Sequence, residues 1–230
     1  MPRRSCRMED MERGRFDRLT ARTWDLPVWQ ALARAHGSVL ELGCGTGRVL
    51  RAIEGVPGPV CGVEMDPERV QAARSHPGAH VVSGDIRTVR LERRFALVIV
   101  ACNTLSLFED PSAVLRTAAI HLRPGGVLAF DLVRPEGRTW GRAPHRWAGR
   151  TGDMVRSGRF DPSTGRHVET VEWPGGRRVQ STWYRSRKDW ERRFRKTGFR
   201  VPRWIDEQGR EPDADSKVLF CTARLAETLE

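Results

Sequence analysis

The stretch VLELGCGTG, from Val39 to Gly47, decides the fold. An apolar strand runs through one acid, Glu41, and straight into a turn with glycine at every second position: Gly43, Gly45 and Gly47. Glycine takes positive φ readily and has no Cβ, so such a turn lets a ligand approach the backbone. A strand, a tight glycine turn and a helix start together mark a nucleotide-type pocket at the C-terminal end of a parallel sheet. The spacing sets this turn apart from the dinucleotide fingerprint G-x-G-x-x-G, which seats a pyrophosphate on a helix N-terminus. Counted from Gly43, the third glycine belongs at position 48, where Arg48 stands, and Gly47 comes one residue early. Glu41 also suits a ligand with an ammonium group better than one with phosphates. Both features disfavour a nicotinamide dehydrogenase.

Working outward, further strands end on acids. VCGVEMD, Val60 to Asp66, reads as a second buried strand ending in Glu64, followed by Met65. An acid about 20 residues past the glycine turn is placed to accept hydrogen bonds from two ribose hydroxyls. AHVVSGD ends at Asp85, followed by Ile86. FALVIVACNTL, from Phe95, is the most hydrophobic run and fits a central parallel strand covered on both faces. It delivers Asn103 and Thr104 to the sheet edge. Helices are predicted after the strands, over Arg48 to Glu54, Pro67 to Ser75 and Pro111 to Leu122. The last starts with Asp110 as N-cap and Pro111 at the first position, and it stops at LRPGG before the strand GVLAFDLV. One or two leading helices, broken at Pro27, are predicted over Phe16 to Ala35. Alternating strands and helices make the chain an α/β protein.

These residues resemble class I S-adenosylmethionine-dependent methyltransferases, whose first motif is an E-x-G-x-G-x-G turn. The resemblance implies a Rossmann-like, seven-stranded, mostly parallel sheet with helices on both faces. It implies S-adenosylmethionine as cofactor, S-adenosylhomocysteine as product, and no metal. Gly43, Cys44 and Gly45 would pack against the methionine part, and Glu41 would assist in holding its amino group. Glu64 would take the ribose hydroxyls, with Met65 against the adenine face. Asp85 would accept from the adenine amino group, with Ile86 against the ring and Asn103 near the methyl donor. An aromatic-rich helix covers this pocket in the family, and Trp24 stands where a tyrosine is usual. Residues 16–133 carry the resemblance, and the remainder follows it in outline.

After Val133 the sequence changes character. Residues 134–147 read as loop, followed by three β segments: Asp153 to Phe160, His167 to Trp173 and Arg178 to Tyr184. DPSTG and PGG mark the turns between them. This reads as an antiparallel insert between strands five and six. A helix from Ser186 to Thr197 follows, with Ser186 and Asp189 in a capping-box relation. Strands near Val201 to Ile205 and Val218 to Arg224 complete the sheet as an antiparallel hairpin. The organisation is thus 1–133 for the leading helices and donor-binding core, 134–185 for the insert, and 186–230 for the closing elements. The insert resembles those of small-molecule methyltransferases, the amino-sugar N-methyltransferases among them, where it covers the active site or mediates dimerisation. Acceptor candidates are Arg142, His145, Arg146 and Trp147, an Arg-Trp-His surface suited to an anionic, aromatic or sugar-nucleotide group. The alternative is that Trp147, Trp173 and Trp183 form the apolar face of the meander. His145 is a candidate base. The amino-sugar enzymes carry a histidine after the fourth strand, where this chain has Leu107, so that role does not transfer; Asn103 and Ser106 are candidates for orienting the acceptor.

Composition narrows the alternatives. A chain of 230 residues has ample length for a full core. Its formal charge of +11 raises a nucleic-acid partner. The cations are almost all arginine, spread along the chain among acids, which reads as compositional bias. An RNA-modifying enzyme remains an alternative, although the N/D-P-P-Y motif of exocyclic-amine methylation is absent. No Pro-Cys pair for cytosine-C5 chemistry occurs. A non-catalytic S-adenosylmethionine-binding protein is the other alternative. The five cysteines form no C-x-x-C and no metal-ligand spacing, and four fall in apparent strands or the glycine turn, which reads as reduced core thiols. No apolar segment resembles a secretory signal or approaches the ~20 residues that cross a bilayer. The expectation is a cytoplasmic, metal-free protein with a small-molecule acceptor, with a homodimer left open.

Overall fold

The computed structural model describes residues 23–75, 78, 80–133, 145–213 and 216–226, with His145, Trp147 and Thr151 described by backbone alone. The chain forms two compact units: residues 25–138 with 185–230, and residues 1–24 with 139–184.

In the larger unit, helix α1 (Leu26–His36) leads into β1 (Val39–Leu42), α2 (Arg48–Ala52), β2 (Val60–Glu64), α3 (Pro67–Arg74), β3 (His80–Ser83) and β4 (Phe95–Val100). A 3-10 turn (Thr104–Leu107), α4 (Ser112–His121) and β5 (Leu122–Val133) follow. The seven-stranded sheet runs β3-β2-β1-β4-β5 in parallel. It is closed by two strands near the C-terminal end, Val218–Arg224 antiparallel to β5 and Arg203–Ile205 antiparallel to that strand. The strand order reverses between β1 and β4, and ligands of open α/β sheets bind in the crevice outside the strand ends at such a switch point.

Both faces are covered. Trp29 and Ala33 of α1 and Val49 and Ile53 of the α2 region pack on Val39, Leu97, Ile99 and Ala129. Val114 and Leu115 of α4, with Trp190 and Phe194 from a later helix, pack on Leu40, Leu42, Val98 and Phe130. Burial on both sides explains why β4 and β5 read as continuous apolar runs rather than alternating ones. Gly62 in β2 has a steric reason: a Cβ there would lie 2.7 Å from both Cys44 Sγ and Leu50 Cδ1, so its absence lets the glycine turn pack onto β2.

Several boundaries differ from the sequence expectations. Pro27 lies in the first turn of α1, where a helix N-terminus needs no N–H, so a helix starts at the expected break; residues 16–22 of the leading segment lie outside the described residues. Helix α4 begins at Ser112 with Pro111 as N-cap, while Asp110 Oδ1 accepts from the Ser112 N–H (3.1 Å) and hydroxyl (2.7 Å). LRPGG belongs to β5. The pairing register shifts between Phe95 and Leu97, and Gly125 at φ +72° makes an irregularity in the strand.

The smaller unit holds a four-stranded antiparallel sheet: β6 (His145–Thr151), β7 (Met154–Asp161), β8 (Arg166–Trp173) and β9 (Gly176–Trp183), paired in that order. The expected loop ending at Trp147 is thus partly strand. HRWAGRT lacks apolar alternation, and it pairs along its length with β7, so neighbouring backbone overrides weak local propensity. DPSTG turns tightly, with Asp161 Oδ1 accepting from the Ser163 N–H (2.9 Å) and Gly165 at φ +68°. The buried side chains include Phe160, His167, Val171 and Thr182.

Back in the larger unit, α5 (Arg187–Lys196) starts at Ser186, whose Oγ accepts from the Asp189 N–H (3.2 Å) and donates to its carboxylate (2.7 Å). The closing strands, β10 (Arg203–Ile205) and β11 (Val218–Arg224), form the expected antiparallel hairpin.

Candidate functional site

The glycine turn is built by backbone geometry. Gly43, Gly45 and Gly47 sit at φ +81°, +55° and +85°, a region strained for side chains bearing a Cβ. The N–H groups of Gly43 and Cys44 donate to Val63 O (2.8 and 3.0 Å), stitching the turn to the end of β2. A Cβ on Gly43 would lie 3.3 Å from Thr104 Cγ2, whereas nothing stands within 4 Å of that position on Gly45. The turn is closed towards the loop after β4 and open at Gly45.

Glu64, at the end of β2, organises the adjoining wall. Its Oε2 accepts from the Gly45 N–H (2.9 Å), and its Oε1 from the N–H groups of Met65 (2.9 Å) and Asp66 (3.0 Å). Asp66 in turn caps α3, its Oδ1 accepting from Glu68 and Arg69. Met65 is 64% exposed, an unusual amount for a methionine beside a buried strand.

Glu41 lies buried in β1 at 2% exposure. The backbone of Leu50 favours its charged form, and its Oε2 has no hydrogen-bond partner among the described residues. Burial pushes its pKa up from 4.5 to about 8; Arg48 pulls against that shift, while Asp25 and Glu64 add to it.

Arg48, the residue that spoils the dinucleotide spacing, forms a paired fork with fully buried Asp25. Nη1 donates to Oδ1 (2.6 Å) and Nη2 to Oδ2 (2.7 Å), and the Trp29 indole N–H adds a third bond to Oδ2 (3.0 Å). Arg48 Nη2 also reaches Cys102 Sγ at 3.2 Å. The pair ties the start of α1 to the residue after the glycine turn.

Past β4 the backbone is strained: Cys102 and Asn103 take φ of +63° and +58° in succession, a conformation that clusters at functional sites in side-chain-bearing residues. Bonds to β5 hold it. The Asn103 N–H donates to Asp131 Oδ2 (3.2 Å), and the Val133 N–H donates to Asn103 Oδ1 (3.1 Å). The switch-point crevice therefore lies between the glycine turn and a braced loop.

The structure brings Glu41, Gly43, Cys44, Gly45 and Glu64 together around one turn, with Thr104 packed against it. Asp85 sits two residues beyond β3, and both its oxygens are engaged by Arg87: Nη2 to Oδ2 at 2.6 Å and the backbone N–H to Oδ1 at 2.8 Å. Those bonds hold the Asp85 carboxyl below its ordinary range. Ile86 is buried in the apolar cluster under the sheet. Of the acceptor candidates, Arg142 and the side chains of His145 and Trp147 lie outside the described residues. Arg146 is exposed on β6 opposite Arg159. Cys102 departs from the core-thiol expectation, being exposed while Cys44, Cys61 and Cys221 are buried.

Sequence reading missed Asp25, Arg48 and Asp131 as parts of this site. The one available signal was Arg48 itself, a charged residue directly after a glycine turn. His121 is structural: its Nε2 accepts from the Leu91 N–H (2.8 Å), leaving Nδ1–H to donate to Thr117 O (2.7 Å). Among the described residues no group of His, Cys, Asp and Glu is arranged to hold a metal ion, and no helix is long and apolar enough to cross a membrane.

The chain is similar to a Streptomyces venezuelae dTDP-3-amino-3,4,6-trideoxy-alpha-D-glucopyranose N,N-dimethyltransferase, at 31% identity over 47% of this chain and 54% of that protein. The chain spans about half to two thirds of the length of the curated relatives it matches first. Its fold is shared with the CcbJ methyltransferase from Streptomyces caelestis: TM-score 0.74, 24% identity, 89% of this chain and 90% of that one. It is also shared with an S-adenosylmethionine-dependent methyltransferase from Clostridium acetobutylicum: TM-score 0.75, 13% identity, 95% and 99% coverage. A family model described as a methyltransferase domain matches residues 11–202, and the chain belongs to that family.

Proposed function

We propose that this protein transfers a methyl group from S-adenosylmethionine to a nitrogen or oxygen nucleophile of a small molecule. The observation that carries the reading is the buried Glu41 carboxyl, with an oxygen left without a partner, in the strand that feeds an open glycine turn. The residues present fit the cofactor. A partnerless buried oxygen suits a cationic amino group, and the open side of Gly45 admits a ligand against the backbone. The Glu64 carboxylate, already fixed by three N–H groups, retains a lone pair on Oε2 for a ribose hydroxyl. Asp85 and Ile86 would meet the adenine, with Met65 on its other side.

When bound, the cofactor supplies a sulfonium-activated methyl group. What the chain contributes is alignment: fixed ends of β1, β2 and β4 hold the donor, and the strained, braced Asn103 loop borders the path of the acceptor. Such positioning supplies roughly 7 to 11 kcal/mol of a bimolecular barrier. Asn103 acts as an orienting group here and not as a base, since a carboxamide does not take up a proton, and its Oδ1 is held by the Val133 N–H. The acceptor amine or hydroxyl then either arrives deprotonated or passes its proton to a base from the insert, for which His145 is the candidate. Residues 1–133 and 186–230 form the donor core on this reading, and residues 134–185 supply the acceptor surface, with Arg142, Arg146 and Trp147, or a homodimer contact. The likeness to an amino-sugar dimethyltransferase supports an amino-sugar acceptor. The free thiols fit a cytoplasmic setting.

Calorimetric titration with S-adenosylhomocysteine tests the reading, with NAD as control. Micromolar binding of the first and none of the second is expected. A folded protein that ignores S-adenosylhomocysteine overturns the assignment.

A further inference from the structure

Glu41 is a carboxyl group in a place built for neither of its charge states alone. It is shut off from water within the strand, with its Oε2 partnerless among the described residues. The groups facing it come from every neighbouring element. Among the described residues Arg48 of α2 is the cation acting on it, and its guanidinium is already forked onto Asp25, the anion preceding α1. Glu64 of β2 adds a further carboxylate, and the buried Cys44 thiol of the turn is neutral, its pKa raised by burial and by Glu41 and Glu64. Among the described residues one cation is thus shared by three buried carboxyl groups. A carboxyl without its own counter-charge in such a place holds its proton. Burial raises the Glu41 pKa to about 8, in the same direction as the geometry.

We infer that Glu41 is protonated in the empty protein and gives its proton to solvent when a ligand ammonium enters beside the glycine turn, so that donor binding is coupled to proton release. The inference rests on the reading of this turn as the S-adenosylmethionine site. The ammonium supplies the counter-charge that the structure withholds, and the carboxylate that forms completes the ion pair. The proton goes to the buffer, and no covalent bond changes. The coupling selects for ligands with a positive charge at this position: an analogue lacking the amino group has nothing to offset ionisation and leaves the proton where it is.

The test is titration of the intact protein with S-adenosylhomocysteine in buffers of different ionisation enthalpy at pH 7. The slope of observed heat against buffer enthalpy counts the protons exchanged. On the order of one proton released per ligand is expected for the wild type, and none for Glu41→Gln. Where the variant fails to fold, the wild type alone decides. Its affinity should tighten about tenfold per pH unit between pH 6 and 7 and level off above the Glu41 pKa. Binding with a buffer-independent enthalpy and a flat pH profile overturns the proton coupling while leaving the donor site standing. No binding at any pH removes the donor site and the coupling together.

Discussion

Removing the carboxylate of Glu64 takes the acceptor away from three backbone N–H groups at once, those of Gly45, Met65 and Asp66. Glu64→Ala should therefore loosen the glycine turn as well as delete a ribose contact. Each lost hydrogen bond to a charged group is worth about 1.5 to 3 kcal/mol. We expect S-adenosylhomocysteine affinity to fall by roughly 10²-fold or more, read by calorimetry, while Asp85→Ala weakens binding less because Asp85 is partly committed to Arg87. Equal affinity for Glu64→Ala and wild type sinks the ribose assignment. Glu41 has a consequence for stability too. Its pKa is raised on folding, from 4.5 to about 8, so the folded state binds the extra proton. Its contribution is fully present below pH 4.5, fades as pH rises, and is lost by about pH 8. Glu41→Gln stays neutral throughout, so its urea midpoint should decline less than the wild type's between pH 5 and 8. A parallel decline in both proteins shows that Glu41 ionises freely.

A charge pair joins the start of helix α1 to the rest of the site. Arg48 and Asp25 are 23 residues apart, form two bonds of 2.6 and 2.7 Å, and leave the Arg48 side chain only 17% exposed and that of Asp25 at 0%. Arg48→Ala leaves Asp25 as an uncompensated buried charge, with the Trp29 indole N–H still donating to it. Breaking such a pair costs about 3 to 5 kcal/mol. Arg48→Met with Asp25→Leu should recover most of it in thermal unfolding, because replacing both partners removes the desolvation cost. A double variant as unstable as the single one shows that the pair does more than neutralise itself. This link also marks where the sequence was legible and where it was not. Strands β1, β2 and β4 were readable because each is an apolar run ending on a polar landmark, and the glycine turn because φ restricts its residue choice. Nothing local in Asp25 or Arg48 reveals a partner in another element. β6 was read partly as loop for a related reason: its pairing with β7, not its own pattern, makes it a strand. LRPGG had a turn's composition, and a register slip in the pairing of β4 with β5, two residues on β4 against five on β5 between the Phe95–Leu122 and Leu97–Val127 pairs, absorbed it into the sheet.

Across the whole molecule, coverage of the strands is uneven, and opening should follow it. β4 and β5 lie in the middle of the seven-stranded sheet, with apolar side chains buried on both faces and neighbours on both edges. Their side chains are held by α1 and α2 on one side, and on the other by the ring cluster of Phe130, Trp190, Phe194 and Trp204, whose centroids lie 5.5 to 5.9 Å from that of Phe130. β3 is an edge strand with only Val81 buried, and β6 is the edge of the four-stranded sheet in the other unit. Amides that open only with global unfolding exchange at the rate set by total stability, while edge amides exchange by local opening. In hydrogen exchange we expect Leu97 to Val100 and Val127 to Leu132 to be the slowest segments, and β3 and β6 to exchange orders of magnitude sooner. Phe194→Ala removes a fully buried ring from the cluster on Phe130 and should cost about 3 to 5 kcal/mol. That loss should speed exchange in β4 and β5 by the same free energy, while β3, which opens locally, changes little. Uniform acceleration across all strands would show instead that the sheet opens as one cooperative block. The glycine turn would then share the full stability of the core, and the donor site would be as rigid as the strands that feed it.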